Sequence, residues 1–600
     1  MIELNHLRDN EHSIIMIGSH PQILQSMLDF DFLSGKPTPS VKAIIGSGRK
    51  LEKFFWGRKE CLIPVYANVN LIPTKIKEQI NLFINVSSGR RALSSTPETI
   101  AALPNLRGGV IFAENLPEKH AIEIWKTIRQ AHGKEKNLFI IGPASVGILI
   151  PGKLKLGAIG GIENNQLIAA HLFTSGNTAV LCSSGGMTNE LINQLARQNI
   201  GLSFALAFGG DRFPILTPES AFLTAEQDAE TKQIVYFGEL GGTDEYRLAE
   251  LIKEKKITKP IIAYIAGSVA GVFAEPPQFG HAKALAQKGE ETAAAKKTAL
   301  RDAGALVGES YEEFINLIKN NIMSGDNQTQ NHEDLSNRKH TLFTCGISGD
   351  KDGAPTILNE ELTKIAEKMS YPEMIISILL GQKPKSKELV DFTELVLKLL
   401  TDHGPCVSGA VNTMITTRAG KDLVSSLCSG LLTIGDRFGG AINEAANNWL
   451  KGAGEQIDPA VFVENCASTQ KHIAGIGHKK YSSRQPDPRV KMILNFSQSL
   501  SQKTFTDFTL KIEKITLMKK ANLILNVDGA VAAVMLDLLK EKEGYDNSAL
   551  SELVAAEFFN ALFVLSRSVG FVGHYLDQRR LDEGLFRLPE DEVANLDWSG

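Results

Sequence analysis

The segment NTAVLCSSGGMTNELINQLARQ, residues 177–198, decides which kind of fold the chain adopts. Its apolar run NTAVLCS is typical of a buried strand, and MTNELINQLARQ has the spacing of an amphipathic helix. The turn between them is Ser-Ser-Gly-Gly, which puts Gly185 and Gly186 at the amino end of the helix. A strand that leads directly into a helix is the building unit of a parallel sheet with crossover helices.

Apolar runs of the same character continue on both sides of this segment. Before it come HSIIMIG, VKAIIG, LFINV, GGVIFAE and NLFIIG, and after it come SFALAFGG, QIVYFGELGG and KPIIAYIAG. Helical stretches of roughly 10–25 residues separate these runs, as in βαβ units. The pattern extends from about Ser13 to about Lys319 and predicts two α/β domains side by side.

The texture of the sequence changes after residue 322. Residues 323–339, MSGDNQTQNHEDLSNRK, contain almost no large apolar residue and many Asn, Asp and Ser, which predicts a linker. Beyond it, stretches such as KELVDFTELVLKLL and KDLVSSLCSGLLTIG place apolar residues at i, i+3, i+4 and i+7. Residues 340–600 are therefore expected to be mainly α-helical.

Length and charge limit the classes of function. The 600 residues exceed the roughly 250–300 at which a single hydrophobic core stops growing, so three or more domains are expected. Lys and Arg number 64 against 68 Asp and Glu, a net charge of −4 without long runs of one sign. That balance argues against a nucleic-acid partner.

Cysteine usage and the amino terminus indicate the compartment. The six cysteines show neither a paired framework nor CxxC spacing, which fits a reducing environment. The opening MIELNHLRDNEHS lacks the basic and apolar regions of a signal peptide, and no segment gives ~18 uncharged apolar residues. We expect a soluble, cytoplasmic protein with no membrane partner.

The Ser-Ser-Gly-Gly turn is a candidate phosphate site. Free backbone N–H groups and the positive end of the helix dipole attract anions there, and glycine lets a phosphate approach the backbone. An ordinary βα turn without a ligand is the alternative.

Three further residues of the α/β half stand at strand ends or on loops. Glu239 follows the strand in VYFGELGG, and Glu114 follows the strand in GGVIFAENLPE. His281 lies on the Pro- and Gly-punctuated loop EPPQFGHAKALAQKGEE, where a neutral imidazole is available as a nucleophile. The alternatives are solvated turn carboxylates and a surface histidine, so each residue alone is a weak signal.

In the helical half, three ionisable residues each follow an apolar stretch and adjoin glycine. They are His403 in LLTDHGPCVSGA, His478 in HIAGIGHKKYSSRQPDPRV and Asp528 in NLILNVDGAVAAVML. Such positions lie at element ends that face a cleft. Taken one at a time they also fit structural roles, with Asp528 as a helix N-cap and His403 at a helix C-terminus.

The α/β motifs, in this order, resemble the α-subunit of succinyl-CoA synthetase and, more closely, part of the ATP-citrate lyase family. The resemblance lies in MLDFDF, FFWGRKECLIPV, FAENLPE, IIGPASVG, SSGGMTNE, GGDRFP, GELGGTDEY and QFGHA, spread over residues 27–282. It implies a phosphohistidine with two carboxylates beside it, a phosphate-holding helix start and a CoA-binding first domain. By this resemblance His281 is the phosphohistidine, and Glu239 and Glu114 are the two carboxylates. The phosphate-holding helix start is Ser184, Gly185 and Gly186, and the CoA-contact residues of the first domain are Ser88 and Arg90.

The helical half resembles the citryl-CoA lyase part of the same family through AGKDLVSSLCSGLLTIGDRFGGA, GIGH, PDPRV, LILNVDG and RSVGFVGHYLDQRRL. Two histidines followed by an aspartate also match the order in citrate synthase. By this resemblance His478 takes the citryl hydroxyl proton, His403 steadies the enolate oxygen and Asp528 protonates the acetyl carbon, the three tasks that carbon–carbon cleavage needs. Arg489 and Arg567 would pair with substrate carboxylates.

Three positions depart from the family pattern. Lys283 stands where the histidine loop usually reads GHAGA, Ser183 replaces an arginine of SRSGG, and Lys479 replaces the arginine of GIGHR. None of these changes removes a residue with a bond-making role. They put phosphate affinity, loop motion and a CoA or substrate contact in question.

The predicted fold is therefore α/β followed by all-α. We expect a Rossmann-like CoA-binding domain over 1–150, a flavodoxin-like CoA-ligase domain over 151–322, a linker over 323–339 and a helical citrate-synthase-like domain over 340–600.

The resemblance implies the large subunit of a two-subunit ATP-citrate lyase. It would convert ATP, citrate and CoA into ADP, phosphate, acetyl-CoA and oxaloacetate through phosphohistidine, citryl phosphate and citryl-CoA. The chain contains no GxxxxGK[ST] P-loop. In the family, the ATP-grasp module that phosphorylates the histidine lies N-terminal to this region, so the resemblance implies a separate β-like subunit that brings ATP and Mg²⁺. The resemblance further implies a homotetramer through the helical domain; no site for a resident metal is predicted.

Two alternatives stay open at this point. One is a citryl-CoA lyase, or another acyl-CoA ligase subunit, that lacks ATP-dependent citrate cleavage. The other is a CoA-binding scaffold subunit without catalytic activity.

Overall fold

The computed structural model describes most of the chain as two compact units. The described residues are 2–114, 116–132, 138–211, 213–273, 277–278, 281, 283–322, 333–435, 441–469 and 472–596. The first unit is Met1–Leu342 and the second is Phe343–Gly600.

The first unit opens with a sheet of Rossmann topology. Its described strands are ordered β3-β4-β2-β1-β5-β6-β7, and all pairs are parallel except β3 with β4. Without β3 this is the 3-2-1-4-5-6 order of the dinucleotide-binding fold, as predicted. The strands are β1 Ile14–Ile17, β2 Val41–Ile45, β3 Leu51–Trp56, β4 Lys59–Tyr66, β5 Leu82–Asn85, β6 Gly108–Ile111 and β7 Phe139–Ile141.

Helices cover this sheet, which explains its composition. β1 and β5 are buried along their whole length, because strands with both faces covered read as continuous apolar runs rather than as alternations. The helices are α1 Leu4–Asp9, α2 Pro21–Leu33, α3 Thr74–Lys77, α4 Gly89–Ala102 and α5 Glu118–His132.

A second sheet of the first unit has flavodoxin-like topology. Its described strands are ordered β14-β13-β12-β10-β11-β8-β9, with β10 to β14 parallel and β8 and β9 antiparallel at one edge. The parallel part is the doubly wound 2-1-3-4-5 order, which confirms the predicted class. The strands are β8 Gly147–Ile150, β9 Leu154–Leu156, β10 Thr178–Cys182, β11 Leu202–Ala207, β12 Gln233–Glu239, β13 Ile261–Ala266 and β14 Leu306–Val307.

The helices that belong with this second sheet follow its strands in the chain. Among them, α7 begins immediately after the Ser-Ser turn that follows β10, as the sequence predicts. They are α6 Asn164–Ala169, α7 Gly185–Arg197, α8 Pro218–Gln227, α9 Asp244–Lys253, α10 Ala293–Asp302 and α11 Tyr311–Asn321.

The predicted linker differs from expectation in its second half. Residues 323–332 lie outside the described part, but the residues after them are docked on the first sheet. Arg338 donates to both carboxylate oxygens of Asp29 and, through Nε, to the Gly57 carbonyl at 3.0 Å, and Leu335 is buried. A low apolar content predicts no core, yet a planar guanidinium can fasten a polar segment by pairing with a buried carboxylate. The division between units accordingly falls after Leu342 rather than after Lys339.

The second unit is helical, with one small addition to the predicted all-α fold. Residues 348–361 form three short antiparallel strands, β15 Ser348–Lys351, β16 Ala354–Ile357 and β17 Glu360–Glu361. Pattern reading misses them because β15 is exposed throughout and carries no apolar alternation.

The helices of this unit surround α21, whose residues from 529 to 539 are buried without interruption. The amphipathic α14, α17 and α20 contribute their apolar faces to the same core. The helices are α12 Leu362–Lys368, α13 Tyr371–Leu380, α14 Lys387–Leu400, α15 Ser408–Arg418, α16 Leu423–Leu431, α17 Ala441–Gly454, α18 Pro459–Ser468, α19 Pro488–Phe496, α20 Thr504–Leu517, α21 Val527–Glu541, α22 Asn547–Ala555 and α23 Phe558–Leu581.

Length and hydropathy together decide whether a helix can span a membrane. Over the described ranges, no helix taken singly is both long and apolar enough to cross a membrane, whereas α22 and α23, which meet at a 47° bend, reach that length and hydropathy together. In this structure Phe559 and Leu562 of α23 are buried in the core of the second unit.

A buried carboxylate ties α21 to the start of α20. Asp537 accepts hydrogen bonds from the backbone N–H groups of Phe505 and Thr506, both at 2.9 Å, and from Thr506 Oγ1 at 2.7 Å. These N–H groups belong to the first turn of α20, where they have no partner within the helix.

Replacing Asp537 with Ala should therefore lower the free energy of unfolding of the second unit by about 2–4 kcal/mol, because buried donors are left unsatisfied. Hydrogen exchange at the α20 amides, together with urea denaturation, measures the loss. Asp507→Ala, in the same turn but exposed, is the matched control. Equal stability of the two variants would contradict the assignment.

Candidate active sites

The first candidate site lies where the strand order of the second sheet reverses. β10 and β12 are parallel neighbours, so their carboxyl ends meet at one edge, and ligands bind at such reversal points in open α/β sheets. β10 leads into the Ser184 turn, and β12 ends at Glu239.

The helix start after β10 is open to a ligand. Ser184 is the N-cap of α7 and accepts from the Met187 N–H at 3.5 Å. A Cβ on Gly185 would lie 2.4 Å from Val146 Cγ1, whereas one on Gly186 would meet none of the described residues within 4 Å. Packing therefore requires the first glycine, and the second leaves backbone exposed. The neighbouring Ser183 is buried, and over the described residues its hydroxyl has no hydrogen-bond partner.

The structure brings the predicted nucleophile and one predicted carboxylate together. His281 Nδ1 lies 2.9 and 3.0 Å from the two carboxylate oxygens of Glu239. The hydrogen bond to Glu239 is the largest cause that raises the pKa of His281, and the charges of Glu114 and Asp211 act in the same direction. With Nδ1–H held by the carboxylate, Nε2 is the ring nitrogen that carries the nucleophilic lone pair in the neutral form. The His281 side chain is 31% exposed, so the ring is partly accessible.

Glu114 and Asp211 complete the acidic surroundings of His281. Glu114 is exposed and acts through its charge. Asp211, to which the sequence assigned no role, is 7% exposed, and burial raises its pKa. The only signal for it was its place in the family string GGDRFP. A Cβ on the adjacent Gly210 would lie 2.4 Å from His281 Cγ, so the ring packs directly on backbone.

A buried ion pair supports the turn after Glu239. Lys296, 1% exposed, donates to the carbonyls of Glu239 at 2.9 Å and Gly241 at 2.6 Å and pairs with Glu245 at 2.7 Å. Tyr236 donates its hydroxyl to the same Glu245 at 2.8 Å. Sequence reasoning missed these residues, because an Ala/Lys-rich helix normally exposes its lysines.

The predicted CoA-contact residues lie at the corresponding edge of the first sheet. Ser88 and Arg90 are exposed at the start of α4, which follows β5, and β5 pairs with β1 where that strand order reverses. A Cβ on Gly18, after β1, would come within 3.0 Å of the Ser87 nitrogen, so the two turns touch. A cavity of about 720 Å³ lies at the opposite, amino-terminal edge of this sheet, and Asn81 and Arg107 are among the residues that line it. Ser88 and Arg90 do not line this cavity.

The second candidate site gathers the predicted residues of the helical unit. Arg489 Nη1 donates to His403 Nδ1 at 3.1 Å, and the ring centroids of His403 and His478 are 6.4 Å apart. Arg489 also pairs with Asp487, at 2.7 Å through Nη2 and 3.1 Å through Nε. Asp487 is buried and caps α19. Asp487 belongs to the family string PDPRV, but the sequence pattern assigns it no role.

Hydrogen bonds to the two histidines define which nitrogen carries the proton. His478 Nδ1 accepts from the backbone N–H groups of Lys480 at 2.9 Å and Tyr481 at 3.1 Å. Arginine can only donate, so His403 Nδ1 is an acceptor too. Burial is the largest cause that lowers the pKa of both rings. Both are therefore neutral imidazoles that present Nε2–H.

This tautomer bears on one predicted role. A ring whose Nδ1 accepts two backbone N–H groups and whose Nε2 already holds a proton has no free lone pair to take a hydroxyl proton. The role of His478 as a base stays a prediction that this geometry disfavours, and the role of His403 as a donor to an enolate oxygen stays a prediction that its tautomer favours.

Asp528 supplies an acceptor that the histidines lack. It lies in the first turn of α21, and the helix is capped by the Asn526 side chain, which accepts from the Gly529 N–H at 3.0 Å. The alternative in which Asp528 is the N-cap is thus excluded. Burial raises the pKa of Asp528 to about 6, although the positive charges of Arg489 and Arg567 lower it.

Arg567 approaches this cluster from α23. It is 2% exposed, donates through Nε to the Leu400 carbonyl at 3.0 Å and lies over the Phe563 ring at 4.7 Å. Its charge acts on His403 and on Asp528. The charges of both predicted arginines thus act on His403 and on Asp528.

Two glycines explain how His478 reaches the start of α21. Gly475 has φ +90°, and a Cβ there would lie 2.7 Å from Gly529 Cα and 2.8 Å from the Trp449 ring. Asn526 N–H donates to the Gly475 carbonyl at 3.0 Å, and Asn526 Nδ2 donates to the Gly477 carbonyl at 3.1 Å. The GIGH segment therefore lies directly on the turn that carries Asp528.

Comparison with known proteins gives two family models that match the chain. The family model "Citrate synthase, C-terminal domain" matches residues 299–588, and the model "CoA-ligase" matches residues 181–306. A probable ATP-citrate synthase subunit 1 from Schizosaccharomyces pombe is 39% identical and covers 96% of this chain and 96% of its own length. The chain belongs to the ATP-citrate lyase family.

Other family members are either longer than this chain or of nearly the same length. Human ATP-citrate synthase is 38% identical over 97% of this chain, which corresponds to 54% of the human protein. A structure of ATP citrate lyase from Methanothrix soehngenii, in complex with citrate and coenzyme A, matches with a TM-score of 0.51 at 33% identity and covers 98% of both chains. As an ATP-citrate lyase family member of this extent, the chain carries both the ligase-like and the synthase-like part.

Glu239→Gln should lower the pKa of His281, because the hydrogen bond to the carboxylate is the main cause that raises it. An NMR titration of the His281 ring measures the shift. Glu219→Gln, which removes a half-exposed carboxylate paired with Arg247, is the control. An unchanged His281 pKa in the Glu239 variant would show that the pair does not persist in solution.

Proposed function

We propose that this chain forms citryl-CoA from citrate, CoA and ATP and then cleaves it into acetyl-CoA and oxaloacetate. The observation that carries the proposal is the presence of two distinct clusters, a histidine paired with Glu239 in the first unit and two neutral histidines with Asp528 in the second. The family and the Methanothrix enzyme solved with citrate and coenzyme A support it.

In the first unit, His281 Nε2 attacks the terminal phosphoryl of ATP, and ADP leaves. Glu239 keeps the ring oriented and stabilises the positive charge that develops on it. A citrate carboxylate then takes the phosphoryl from Nε2 to give citryl phosphate, and the CoA sulfur displaces phosphate to give citryl-CoA. Ser184 and the exposed backbone of Gly186 hold the phosphoryl or phosphate near α7, while Ser88 and Arg90 hold the nucleotide end of CoA.

ATP and Mg²⁺ belong, in this proposal, to a separate ATP-grasp subunit. The name "subunit 1" of the fungal relatives is consistent with such a partner. The side chains of this chain then bind and orient the phosphoryl and the substrates.

In the second unit, Asp528 acts as the proton carrier. Its carboxylate takes the hydroxyl proton of citryl-CoA while His478 Nε2–H donates to the hydroxyl oxygen. The carbon–carbon bond breaks, the hydroxyl carbon becomes the carbonyl of oxaloacetate, and the electron pair moves into the thioester enolate, whose oxygen accepts from His403 Nε2–H. Protonated Asp528 then returns the proton to the acetyl carbon.

The arginines hold the substrate carboxylates. Three of the five N–H groups of Arg489 are used by Asp487 and His403, so two remain for a carboxylate, and the charge of Arg567 lies on the same cluster. The pairing with Asp487 fixes the guanidinium plane, and through it the His403 ring.

A homotetramer through the helical unit and a cytoplasmic location complete the proposal. Large apolar side chains are exposed on this unit, including Val424 at 67%, Leu432 at 85% and Val569 at 62%. Exposed apolar side chains of this size favour a contact surface, and a second copy of the same chain is the partner that the proposal assigns to it.

The two clusters predict a separation of partial reactions. His281→Ala should abolish ATP-driven citrate cleavage, measured with the ATP-grasp subunit present, but leave cleavage of supplied citryl-CoA at the wild-type rate. Asp528→Ala should lower citryl-CoA cleavage by about 10³-fold or more and still allow phosphorylation of His281.

Oxaloacetate release from citryl-CoA and acid-labile phosphate on the chain are the two readouts. Loss of both partial reactions in both folded variants would refute the division of labour. No cleavage by the folded wild-type chain would favour the scaffold alternative, and cleavage without His281 phosphorylation would favour a citryl-CoA lyase.

The proton carrier also sets a pH dependence. Because Asp528 must begin as a carboxylate and its pKa is about 6, single-turnover cleavage of citryl-CoA should rise as pH increases through 6 and then level off. If Asp528 instead began as an acid with His478 as the base, the rate would fall above pH 6. Measurement from pH 5 to 8 without ATP, with Asp528→Asn as the control that removes the limb, distinguishes the two.

A further inference from the structure

Lys283 makes an ion pair beside the proposed nucleophile. It stands two residues after His281, and its Nζ contacts a carboxylate oxygen of Asp244, the first residue of α9. The Lys283 side chain is only 18% exposed. It lies along Gly242, where a Cβ would come within 2.5 Å of Lys283 Cε. The lysine is therefore packed in place rather than extended into solvent.

The backbone around Lys283 lies against the turn that contains Gly241 and Gly242. Gly241 has φ +89°, and a Cβ there would lie 2.0 Å from the Lys283 carbonyl oxygen. Gly241 N–H donates to the Glu291 carbonyl at 2.8 Å. The Gly-Gly turn joins Glu239 to α9, so His281 and Lys283 reach two carboxylates that flank a single turn.

The charges at this site are unbalanced towards the negative. Glu239, Glu114 and Asp211 all act on His281, and a phosphoryl group on Nε2 adds further negative charge. Lys296 is buried against Glu245 and two carbonyls. The charge of Lys283 acts on Glu239 as well, which places this lysine within electrostatic range of the pair that receives the phosphoryl.

We propose that Lys283 is the counter-ion of the phosphoryl group on His281, held by Asp244 until the phosphoryl is present. The proposal rests on the proposed function, since it requires a phosphohistidine. Lysine suits the role because its ammonium is a compact charge on a flexible stem, so rotation about side-chain bonds moves it between two anions. Lys283 is thus a positioning residue for the phosphoryl; it forms and breaks no covalent bond.

Burial favours this exchange of partners. Burial is the largest cause that lowers the pKa of Lys283, to about 8, and the charge of Lys296 adds to it. A partly desolvated ammonium gains more from a dianionic phosphoryl than from a single carboxylate. Related proteins with glycine at this position, as in GHAGA, have no side chain to offer there.

The test uses the full chain and phosphoramidate, a small-molecule phosphoryl donor for histidine, so it does not depend on the partner subunit. The phosphoryl on His281 is titrated by ³¹P NMR in the wild type and in Lys283→Gln, Lys283→Arg, Asp244→Asn and Lys288→Gln. Lys288 lies on the same loop and is exposed, which makes it the matched control.

We expect the phosphoryl pKa to rise by about one unit, a tenfold gain in proton affinity, in Lys283→Gln, because the stabilising cation is gone. Lys283→Arg and Lys288→Gln should titrate like the wild type. Asp244→Asn should titrate at or below the wild-type value, because Asp244 no longer competes for the lysine.

The outcomes separate this inference from the function on which it rests. A phosphorylated wild type whose titration matches that of Lys283→Gln would overturn the role of Lys283 and leave the phosphohistidine standing. A wild type that takes no phosphoryl at His281 would overturn both. Circular dichroism of each variant, together with the Arg variant, checks that a shift reflects charge and not unfolding.

Discussion

At both candidate sites a glycine lets another segment approach closely, and the position of the predicted site residues depends on that contact. A Cβ on Gly210 would intrude on the His281 ring, and one on Gly475 would intrude on the start of α21. In the helical unit a third case occurs at Gly570, where a Cβ would lie 2.3 Å from the Thr401 carbonyl. Glycine lacks the Cβ methyl group that would fill these contacts. A close-packed interior has no other way to provide that space. The sites are therefore built by backbone proximity first and by side-chain chemistry second.

Electrostatics then give the histidines of the two sites opposite characters. Around His281, a direct carboxylate partner and two further acids outweigh burial and raise its pKa. Around His403 and His478, burial and nearby arginines lower it. The first arrangement suits the proposed nucleophile, which would bear positive charge during phosphoryl transfer. The second keeps two imidazoles neutral, so that they donate hydrogen bonds to oxygens without exchanging protons with water.

Much of this arrangement follows from local sequence patterns, and the remainder does not. The parallel sheets, the strand–turn–helix at Ser184 and the pairing of His281 with Glu239 follow from apolar runs, glycine turns and family strings. Asp487 was not assigned although its partner Arg489 lies two residues further on, because the pattern does not show that this carboxylate is buried. Asp211 was not assigned, because the His281 on which its charge acts comes near only when distant segments have packed. The docked Arg338 was misread as linker for the same reason: its binding carboxylate, Asp29, lies more than 300 positions earlier.

The protonation state of His478 shows a different limit. Residue type and order identify the histidine, but the donors that occupy its Nδ1 are backbone N–H groups of Lys480 and Tyr481. Any residue except proline supplies such a donor, so no letter in the sequence announces it. The tautomer, and with it the choice between His478 and Asp528 as the proposed base, depends on the conformation of this loop.

Helix α21 is at once the centre of the core and the carrier of Asp528. Positions from 529 to 539 have no solvent-facing side on which substitutions accumulate without effect, and a change of volume at any of them shifts the turn that holds the carboxylate. We therefore expect tolerated substitutions in this unit to lie on its outer helices. Substitutions meant to change thermal stability without changing turnover therefore belong on the outer helices, because the residues of α21 affect both properties.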